Sequence, residues 1–203
     1  RRAEAYDRGR IVILPIADSA PGEVGPEQVR RMRDLGARDV SCLILTREQA
    51  EDPEGVRLFN GVGGVFFSGG DQTRLLEVLF GTPVHDRLKQ LYRDGAVMGG
   101  TSAGAAVMSA IVITGAEKRE VPPGEAFSTI EPCNVLTVPG LAFIPNALID
   151  QHFIRRRRHN RLISLVVENP RLLGIGIDES TAVVVRPDRI FDVMGEGNVI
   201  IYD

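Results

Sequence analysis

The sequence predicts an α/β protein built on a mainly parallel sheet. Short runs rich in valine and isoleucine alternate with segments of helical periodicity, which is typical of a parallel sheet covered on both faces. The apolar runs are strand-sized, and none approaches the roughly 18 to 20 residues that a membrane-spanning helix needs. With 203 residues, 43% of them hydrophobic, the chain suits a single domain over residues 1–203 with a substantial core.

We expect strands where β-branched and other apolar residues cluster. They are Ile11–Ile16, Val40–Leu45, Gly64–Phe67, Ala96–Met98 and Leu172–Ile177, with antiparallel strands Ala182–Val185, Ile190–Met194 and Val199–Tyr202 at the end of the chain. Helices are expected to begin near Pro26, Thr73, Pro83, Ser102 and Asn160. Between Gly115 and Asn146 prolines and glycines recur, which predicts one long loop.

Charge and cysteine content exclude several classes of function. The chain has 24 basic and 27 acidic residues, so its net charge of −3 provides no electrostatic footprint for broad nucleic-acid binding. Cys42 and Cys133 form no CxxC pair, so we expect two free thiols, no zinc site and no other metal. Because the chain starts at Arg1 without a methionine and its last strands stop early at Asp203, we expect native segments beyond both ends. The expected location is the cytoplasm, with secretion left open.

The stretch Ala96–Ser109 carries the strongest chemical signal. In it a short apolar strand runs into Gly100-Thr-Ser102-Ala-Gly104 and then into a helix-forming segment. This order fits the G-x-S-x-G pattern in the strand–turn–helix context of a nucleophilic serine. Ser102 would stand at a helix N-terminus, whose dipole favours developing negative charge. The alternative is an ordinary N-cap serine before a buried helix.

A serine nucleophile needs a base at neutral pH, and histidine is the commonest one. The chain has three histidines. His85 lies in the first turn of a polar helix and His159 in a charged run, so we expect both to be solvated. His152 follows the apolar stretch that starts at Ala147, which brings it to the edge of the core. His152 is therefore the predicted base.

The acid that orients the base is expected at the end of a strand. Asp178 and Glu179 follow the run Leu172–Ile177, and ligands of open α/β sheets bind at that edge. Asp150 lies nearer to His152 in the sequence, and spacing does not choose among the three. The chain order of serine, histidine and acid differs from the order in α/β hydrolases, chymotrypsin and subtilisin. It favours another three-layer scaffold with a nucleophile turn.

A second strand, Gly64–Phe67, also runs into a glycine turn. Catalysis of acyl transfer needs backbone N–H groups aimed at the developing oxyanion. The candidates are the amides of Gly70, Asp71 and Ala103. The alternative is a plain β-turn before the helix at Thr73.

Together, several segments of the chain resemble one known family. They are Phe67-Ser-Gly-Gly-Asp-Gln72, Gly100-Thr-Ser-Ala-Gly-Ala105 and Asp150-Gln-His-Phe153, followed by an arginine cluster and by Gly176-Ile-Asp-Glu-Ser-Thr-Ala182. They are similar to the cyanophycinases, serine peptidases related to dipeptidase E. The resemblance implies a three-layer α/β/α domain of the class I glutamine amidotransferase-like, or flavodoxin-like, kind with a nucleophile elbow.

The resemblance also implies roles for single residues. Ser102 is the nucleophile, His152 the base and Glu179 its acidic partner. The implied substrate-binding residues are Gln72, Asp150, Gln151, Arg156, Arg158 and Arg161. The family acts as exopeptidases on cyanophycin, a poly-aspartate chain that carries arginines on its side-chain carboxylates, and releases β-aspartyl-arginine dipeptides. An aspartate–arginine peptide or polymer is the implied partner. A homodimer is implied as well, without cofactor, nucleic acid or membrane.

Two other functions stay open at this point. One is an isoaspartyl or aspartyl dipeptidase of the dipeptidase E type, with the same triad and a narrower pocket. The other is a non-catalytic binding module on the same fold. An amidotransferase is disfavoured, because its nucleophile is a cysteine and neither Cys42 nor Cys133 lies at a suitable turn.

Overall fold

The computed structural model describes residues 9–122 and 124–203. These residues form two compact units, one that ends at Met108 and one that begins at Ser109. The expectation of one domain over the whole chain remains a prediction. Among the described residues, no helix has both the length and the apolar character that crossing a membrane requires.

A parallel sheet forms the centre of the first unit. Its strands are β1 (Arg10–Leu14), β2 (Val40–Cys42), β3 (Val62–Phe67) and β4 (Val97–Gly100). They are hydrogen-bonded in the order β2-β1-β3-β4, and every pair is parallel. All of them lie on runs that the sequence predicted as strands, and the α/β class is confirmed. The carboxyl ends of β3 and β4 therefore meet at one edge of the sheet.

Short helices follow the strands of this unit. They are α1 (Pro21–Asp34), α2 (Arg47–Glu51), α3 (Pro53–Arg57), α4 (Gln72–Leu79), α5 (Pro83–Arg93) and α6 (Ala103–Ala106). Helix α1 begins earlier than predicted, because Pro21 rather than Pro26 occupies its first turn. Sequence periodicity did not predict α2 and α3, which are too short to show it and depend on the side-chain caps Thr46 and Asp52.

The second unit contains several small sheets. Its elements are β5 (Ile111–Glu117), β6 (Val135–Pro139), β7 (Ala147–Gln151), α7 (His159–Glu168), β8 (Leu173–Ile177), β9 (Thr181–Val185), β10 (Phe191–Gly195) and β11 (Val199–Tyr202). Strand β8 pairs with β7 in parallel and with β11 in antiparallel orientation. Strands β9 and β10 form an antiparallel pair. The antiparallel character predicted for the last strands is confirmed.

The prediction of one long loop between Gly115 and Asn146 is wrong. Strand β5 continues to Glu117 and pairs antiparallel with β6. The register shifts between Ile113 and Glu117, so Gly115, at φ +97°, lies in an irregular part of the ladder. Strand β7 was also not predicted. Because all five of its residues are buried, it lacks the apolar–polar alternation of a half-exposed strand.

Each unit has its own buried hydrophobic cluster, and only the cluster of the second unit includes a residue next to a predicted catalytic side chain. In the first unit Ile13 of β1, Val40 of β2 and Ala37 form a buried cluster. In the second unit a buried cluster includes Leu148 of β7 and Phe153, the residue after His152. The chain around His152 is thus fixed by packing rather than by loop contacts alone.

Candidate active site

Ser102 lies at the turn between β4 and α6, as the sequence predicted. Its backbone has φ +51° and ψ −117°, a strained conformation of the kind found at functional sites. A Cβ at Gly100 would lie 2.2 Å from the carbonyl oxygen of Gly104, and one at Gly104 would lie 2.1 Å from that of Phe67. Only glycine fits at these two positions. The Ser102 side chain does not cap α6, which argues against the ordinary N-cap interpretation.

The turn after β3 passes close to Ser102. A Cβ at Gly69 would lie 3.3 Å from the Cβ of Ser102. The next residue, Gly70, has φ +131°, and a Cβ there would lie 2.1 Å from the carbonyl oxygen of Ala17. The two glycines let the turn approach both Ser102 and the loop after β1.

The three candidate oxyanion donors differ in their hydrogen bonds. Among the described residues, the backbone N–H groups of Gly70 and Ala103 have no acceptor. The N–H of Asp71 donates to the carbonyl oxygen of Ala17 at 2.8 Å. The Asp71 amide is therefore already engaged by Ala17. Gly70 and Ala103 remain as the candidate pair.

The Asp71 carboxylate starts helix α4. Its Oδ1 accepts hydrogen bonds from the hydroxyl and, at 2.8 Å, from the backbone N–H of Thr73. The bond from the Thr73 side chain is the main cause that lowers the pKa of Asp71. Gln72, the first predicted substrate-binding residue, is the first residue of this helix. Asp71 thus positions the segment that carries Gln72.

His152 follows β7 and forms a hydrogen bond with Glu179. The Nδ1 atom of the imidazole lies 2.9 Å from Oε1 of the carboxylate. Strands β7 and β8 are parallel neighbours, and Gln151 pairs with Ile177 at their ends. The residues that follow these two strands are therefore brought side by side.

The other two carboxylates that the sequence left open have different partners. Oδ1 of Asp178 accepts the backbone N–H of Arg155 at 3.1 Å. The N–H of Arg156 donates to the carbonyl oxygen of His152 at 2.9 Å. Asp178 therefore holds the turn that leaves His152. The sequence analysis did not predict this anchoring role of Asp178. The other carboxylate, Asp150, binds Arg161 instead.

The conformation of His152 is set by its neighbour Phe153. The φ of His152 is +53°, and the Phe153 side chain is fully buried. A Cβ at Gly176 of β8 would lie 2.3 Å from the Phe153 ring. Glycine at 176 thus makes room for the ring that anchors the histidine. The alternating glycines in the Gly174-Ile-Gly176 run were the sequence signal for this close approach.

Asp150, 1% exposed, is the centre of a buried charge network. Its Oδ2 accepts the Nε–H of Arg161 at 2.6 Å, and its Oδ1 accepts an Nη2–H of the same guanidinium. An Nη1–H of Arg158 donates to the side-chain oxygen of Gln151 at 2.8 Å and approaches Asp150 Oδ1 at 3.3 Å. Burial, with the charge of Arg161, lowers the pKa of Arg158 to about 10. With this pKa Arg158 stays charged at neutral pH, so two guanidinium groups face one carboxylate and the network has one positive charge in excess.

The remaining candidate, Arg156, is exposed and forms no ion pair within the described parts of the chain. The structure thus brings Asp150, Gln151, Arg158 and Arg161 together, while Arg156 lies on the turn beside them. Both cysteines are free thiols, as predicted. Burial raises the pKa of Cys42.

The prediction that His85 is solvated is wrong, and His159 is only partly exposed. His85 is 2% exposed, and its Nδ1 accepts the N–H of Gly81 at 3.2 Å. It shares the buried face of α5 with Leu88, three residues later. His159 packs on the Phe153 ring, and its Nδ1 lies 2.7 Å from the hydroxyl of Tyr202. Both histidines are held within their units by packing and hydrogen bonds.

A strained serine turn at the end of a parallel strand and a histidine–carboxylate pair after two further strands are typical of serine peptidases with a nucleophile elbow. The model of peptidase family S51 matches residues 4–193 of the chain. The chain belongs to this family.

Curated relatives of the chain are cyanophycinases. One from Nostoc sp. is 40% identical over 195 residues, which cover 95% of this chain and 63% of the relative. One from Geminocystis herdmanii is 38% identical over 95% of this chain and 69% of its own length. One from Synechococcus elongatus is 36% identical over 95% of this chain and 58% of its own length. The chain thus spans less than two thirds of the Nostoc relative.

Solved structures show the same fold. The crystal structure of a peptidase from an acI-B1 Actinobacterium has a TM-score of 0.73 and 25% identity, and the match covers 98% of this chain and 80% of that one. A putative peptidase E protein from Listeria monocytogenes EGD-e has a TM-score of 0.56 and 16% identity over 97% of this chain and 87% of its own. The second likeness concerns the fold alone.

Proposed function

We propose that this protein is a serine exopeptidase that hydrolyses cyanophycin or a related β-aspartyl-linked chain and releases β-aspartyl-arginine-type dipeptides. The observation that carries the proposal is the 2.9 Å hydrogen bond between Nδ1 of His152 and Oε1 of Glu179. It orients an imidazole as a catalytic base requires. Membership of the peptidase family and the cyanophycinase relatives support the choice of reaction and substrate.

In the proposed mechanism, Ser102 Oγ attacks the carbonyl carbon of the scissile amide. His152 Nε2 takes the hydroxyl proton and returns it to the leaving amine, while Glu179 accepts the Nδ1–H and stabilises the imidazolium. The N–H groups of Gly70 and Ala103 stabilise the oxyanion. Water then hydrolyses the acyl-enzyme by the same path. The mechanism requires Ser102 Oγ and His152 Nε2 to come within hydrogen-bonding distance in the active protein.

The charge network supports a substrate with a free carboxylate. Asp150 neutralises only one of the two guanidinium groups bound to it, so one positive charge remains in a partly buried position. Guanidinium groups bind carboxylates through paired hydrogen bonds. In this proposal Arg158, Arg161, Gln151, Arg156 and Gln72 contact the substrate. Asp150 positions the arginines.

The first test compares the wild-type protein with the Ser102→Ala variant on the insoluble aspartate–arginine polymer. Soluble products are identified by mass spectrometry. We expect the wild type to release β-aspartyl-arginine. The variant should release it at a rate reduced by about a thousandfold or more. The matched control is Ser128→Ala, which removes the hydroxyl of an exposed serine. Equal release by Ser102→Ala contradicts the proposal.

The same experiment separates the alternative functions. Cleavage of short isoaspartyl peptides without release from the polymer would favour the dipeptidase. Failure of a serine-directed phosphonate to label Ser102, together with inactivity on both substrates, would favour the binding module. The homodimer belongs to this proposal as well, and the mass in solution, measured by light scattering, tests it.

A further inference from the structure

The segment between β5 and β6, residues 118–134, is here called the β5–β6 loop. Its described part is tied to helix α7. The N–H of Glu131 donates to the hydroxyl of Ser164 at 3.1 Å, and the N–H of Cys133 donates to a carboxylate oxygen of Glu168 at 2.6 Å. The loop therefore lies against helix α7, which also carries Arg161.

Phe127 is the residue of this loop with the most specific contacts. Its N–H donates to Oε2 of Glu117 at 3.0 Å, and its carbonyl oxygen accepts the side-chain N–H of Asn160 at 3.0 Å. Its φ is +58°, a conformation that non-glycine residues adopt infrequently. These bonds place the Phe127 ring over Arg161, with the guanidinium carbon 5.4 Å from the ring centroid.

The guanidinium of Arg161 is therefore held from two directions. Its edge donates to both carboxylate oxygens of Asp150, and its face lies under the Phe127 ring. An aromatic face attracts a cation more strongly when the cation is desolvated, and the Arg161 side chain is only 5% exposed.

The position of Asp150 in turn affects the groups next to it. Oδ1 of Asp150 accepts the backbone N–H of Gln151 at 2.9 Å, and it lies 3.3 Å from Nη1 of Arg158. A shift of the Arg161 guanidinium would move the carboxylate and, with it, both neighbours. A chain of contacts through Arg161 and Asp150 thus connects the β5–β6 loop to the residues beside His152.

We propose that Phe127 is a positioning residue that, by covering Arg161, holds the Asp150–Arg158–Gln151 network in the geometry that binds a substrate carboxylate. This inference rests on the proposed function. Phe127 itself contacts neither the substrate nor the reacting atoms. Its effect is expected in substrate affinity rather than in the chemical step.

The kinetic test compares Phe127→Leu, Phe127→Tyr and the wild type on a soluble aspartate–arginine oligomer. Leucine keeps an apolar side chain on the cluster but removes the aromatic face. We expect Phe127→Leu to raise KM about 3- to 30-fold, with kcat changed less than about twofold, and Phe127→Tyr to restore the wild-type KM. The control Ile130→Ala changes a residue of the same loop that is 53% exposed.

A spectroscopic test does not depend on turnover. The Nε–H of Arg161 is hydrogen-bonded and buried, so its proton–nitrogen resonance can be observed and assigned by its loss in Arg161→Lys. The ring current of Phe127 should displace this resonance, and Phe127→Leu should shift it while Phe127→Tyr should not.

An unchanged resonance in Phe127→Leu, or an unchanged KM, would overturn the inference. Equal losses of kcat and melting temperature in the Leu and Tyr variants would also overturn it, because they indicate a packing role only. An inactive wild-type protein would overturn the proposed function and the role in substrate binding. The resonance would still decide whether Phe127 positions Arg161.

Discussion

Oε1 of Glu179 lies 2.9 Å from Nδ1 of His152, although 27 residues separate them in the chain. The intervening segment forms helix α7 and strand β8, which returns the chain parallel to β7. The side chains of the pair are 23% and 51% exposed for His152 and Glu179, respectively. The pair is thus fixed by the sheet and still partly exposed to solvent.

Replacing Glu179 by glutamine should reduce kcat about 10²- to 10⁴-fold, because the amide no longer stabilises an imidazolium and can favour the wrong tautomer. Steady-state kinetics on a soluble β-aspartyl substrate measure the effect. Glu196→Gln is the matched control, since Glu196 is an exposed residue near the same turn. A kcat within a factor of three of the wild type would argue against Glu179 as the partner of the base.

Gly176→Ala should lower the free energy of unfolding by about 1–3 kcal/mol, because the new Cβ overlaps the buried Phe153 ring. Activity should fall as well, since Phe153 anchors His152. Urea unfolding and steady-state kinetics test both effects. Gly22→Ala is the control: a Cβ there meets nothing within 4 Å, and alanine in a helix should stabilise by about 0.5–1 kcal/mol. Equal stability of Gly176→Ala and the wild type would contradict the argument.

Asp150→Asn should destabilise the protein by about 3–5 kcal/mol, because it leaves two guanidinium groups without their buried counter-charge. Thermal or urea unfolding measures the loss. The exposed pair of Glu54 and Arg57 provides the comparison, and Glu54→Gln should cost less than about 1 kcal/mol. The prediction is wrong if both substitutions have the same small effect.

The contribution of Asp71 to stability should depend on pH. Its pKa is lowered in the folded protein, so the stabilisation is complete above the ordinary value of 3.8 and is lost as the pH falls through the folded value. Asp71→Ala should cost about 1 kcal/mol near pH 7 through loss of the N-cap. The difference from the wild type, measured by urea unfolding, should shrink toward pH 3.

The variant Asp71→Ser separates charge from capping in the same experiment. Its hydroxyl can cap α4 without a charge, so the stability difference between Asp71→Ser and Asp71→Ala should not vary with pH. A wild-type advantage that stays constant down to pH 3 would show that the carboxylate charge does not contribute.

The parallel strands of the first unit and the Ser102 turn could be predicted because their signals are local. A run such as Val62–Phe67 favours a strand wherever it lies, and Gly100 and Gly104 leave little choice of backbone at the turn between them. The β5–β6 pairing could not be predicted in this way. Its strands are separated by a proline-rich loop, and what stabilises them is the partner strand and the contacts with α7.

The hydrogen-bond partners and the burial of the histidines and carboxylates depend on contacts between residues that are distant in the sequence. The sequence by itself determined the α/β class, the turn at Ser102 and the choice of His152 as the candidate base, because backbone propensity and residue type act over a few neighbours. The tertiary structure decided that Glu179, rather than Asp150 or Asp178, bonds to His152. It also decided that the N–H of Asp71 donates to Ala17 and that His85 is buried. Hydrogen bonds and burial are properties of atoms brought together from distant positions, and no local pattern records them.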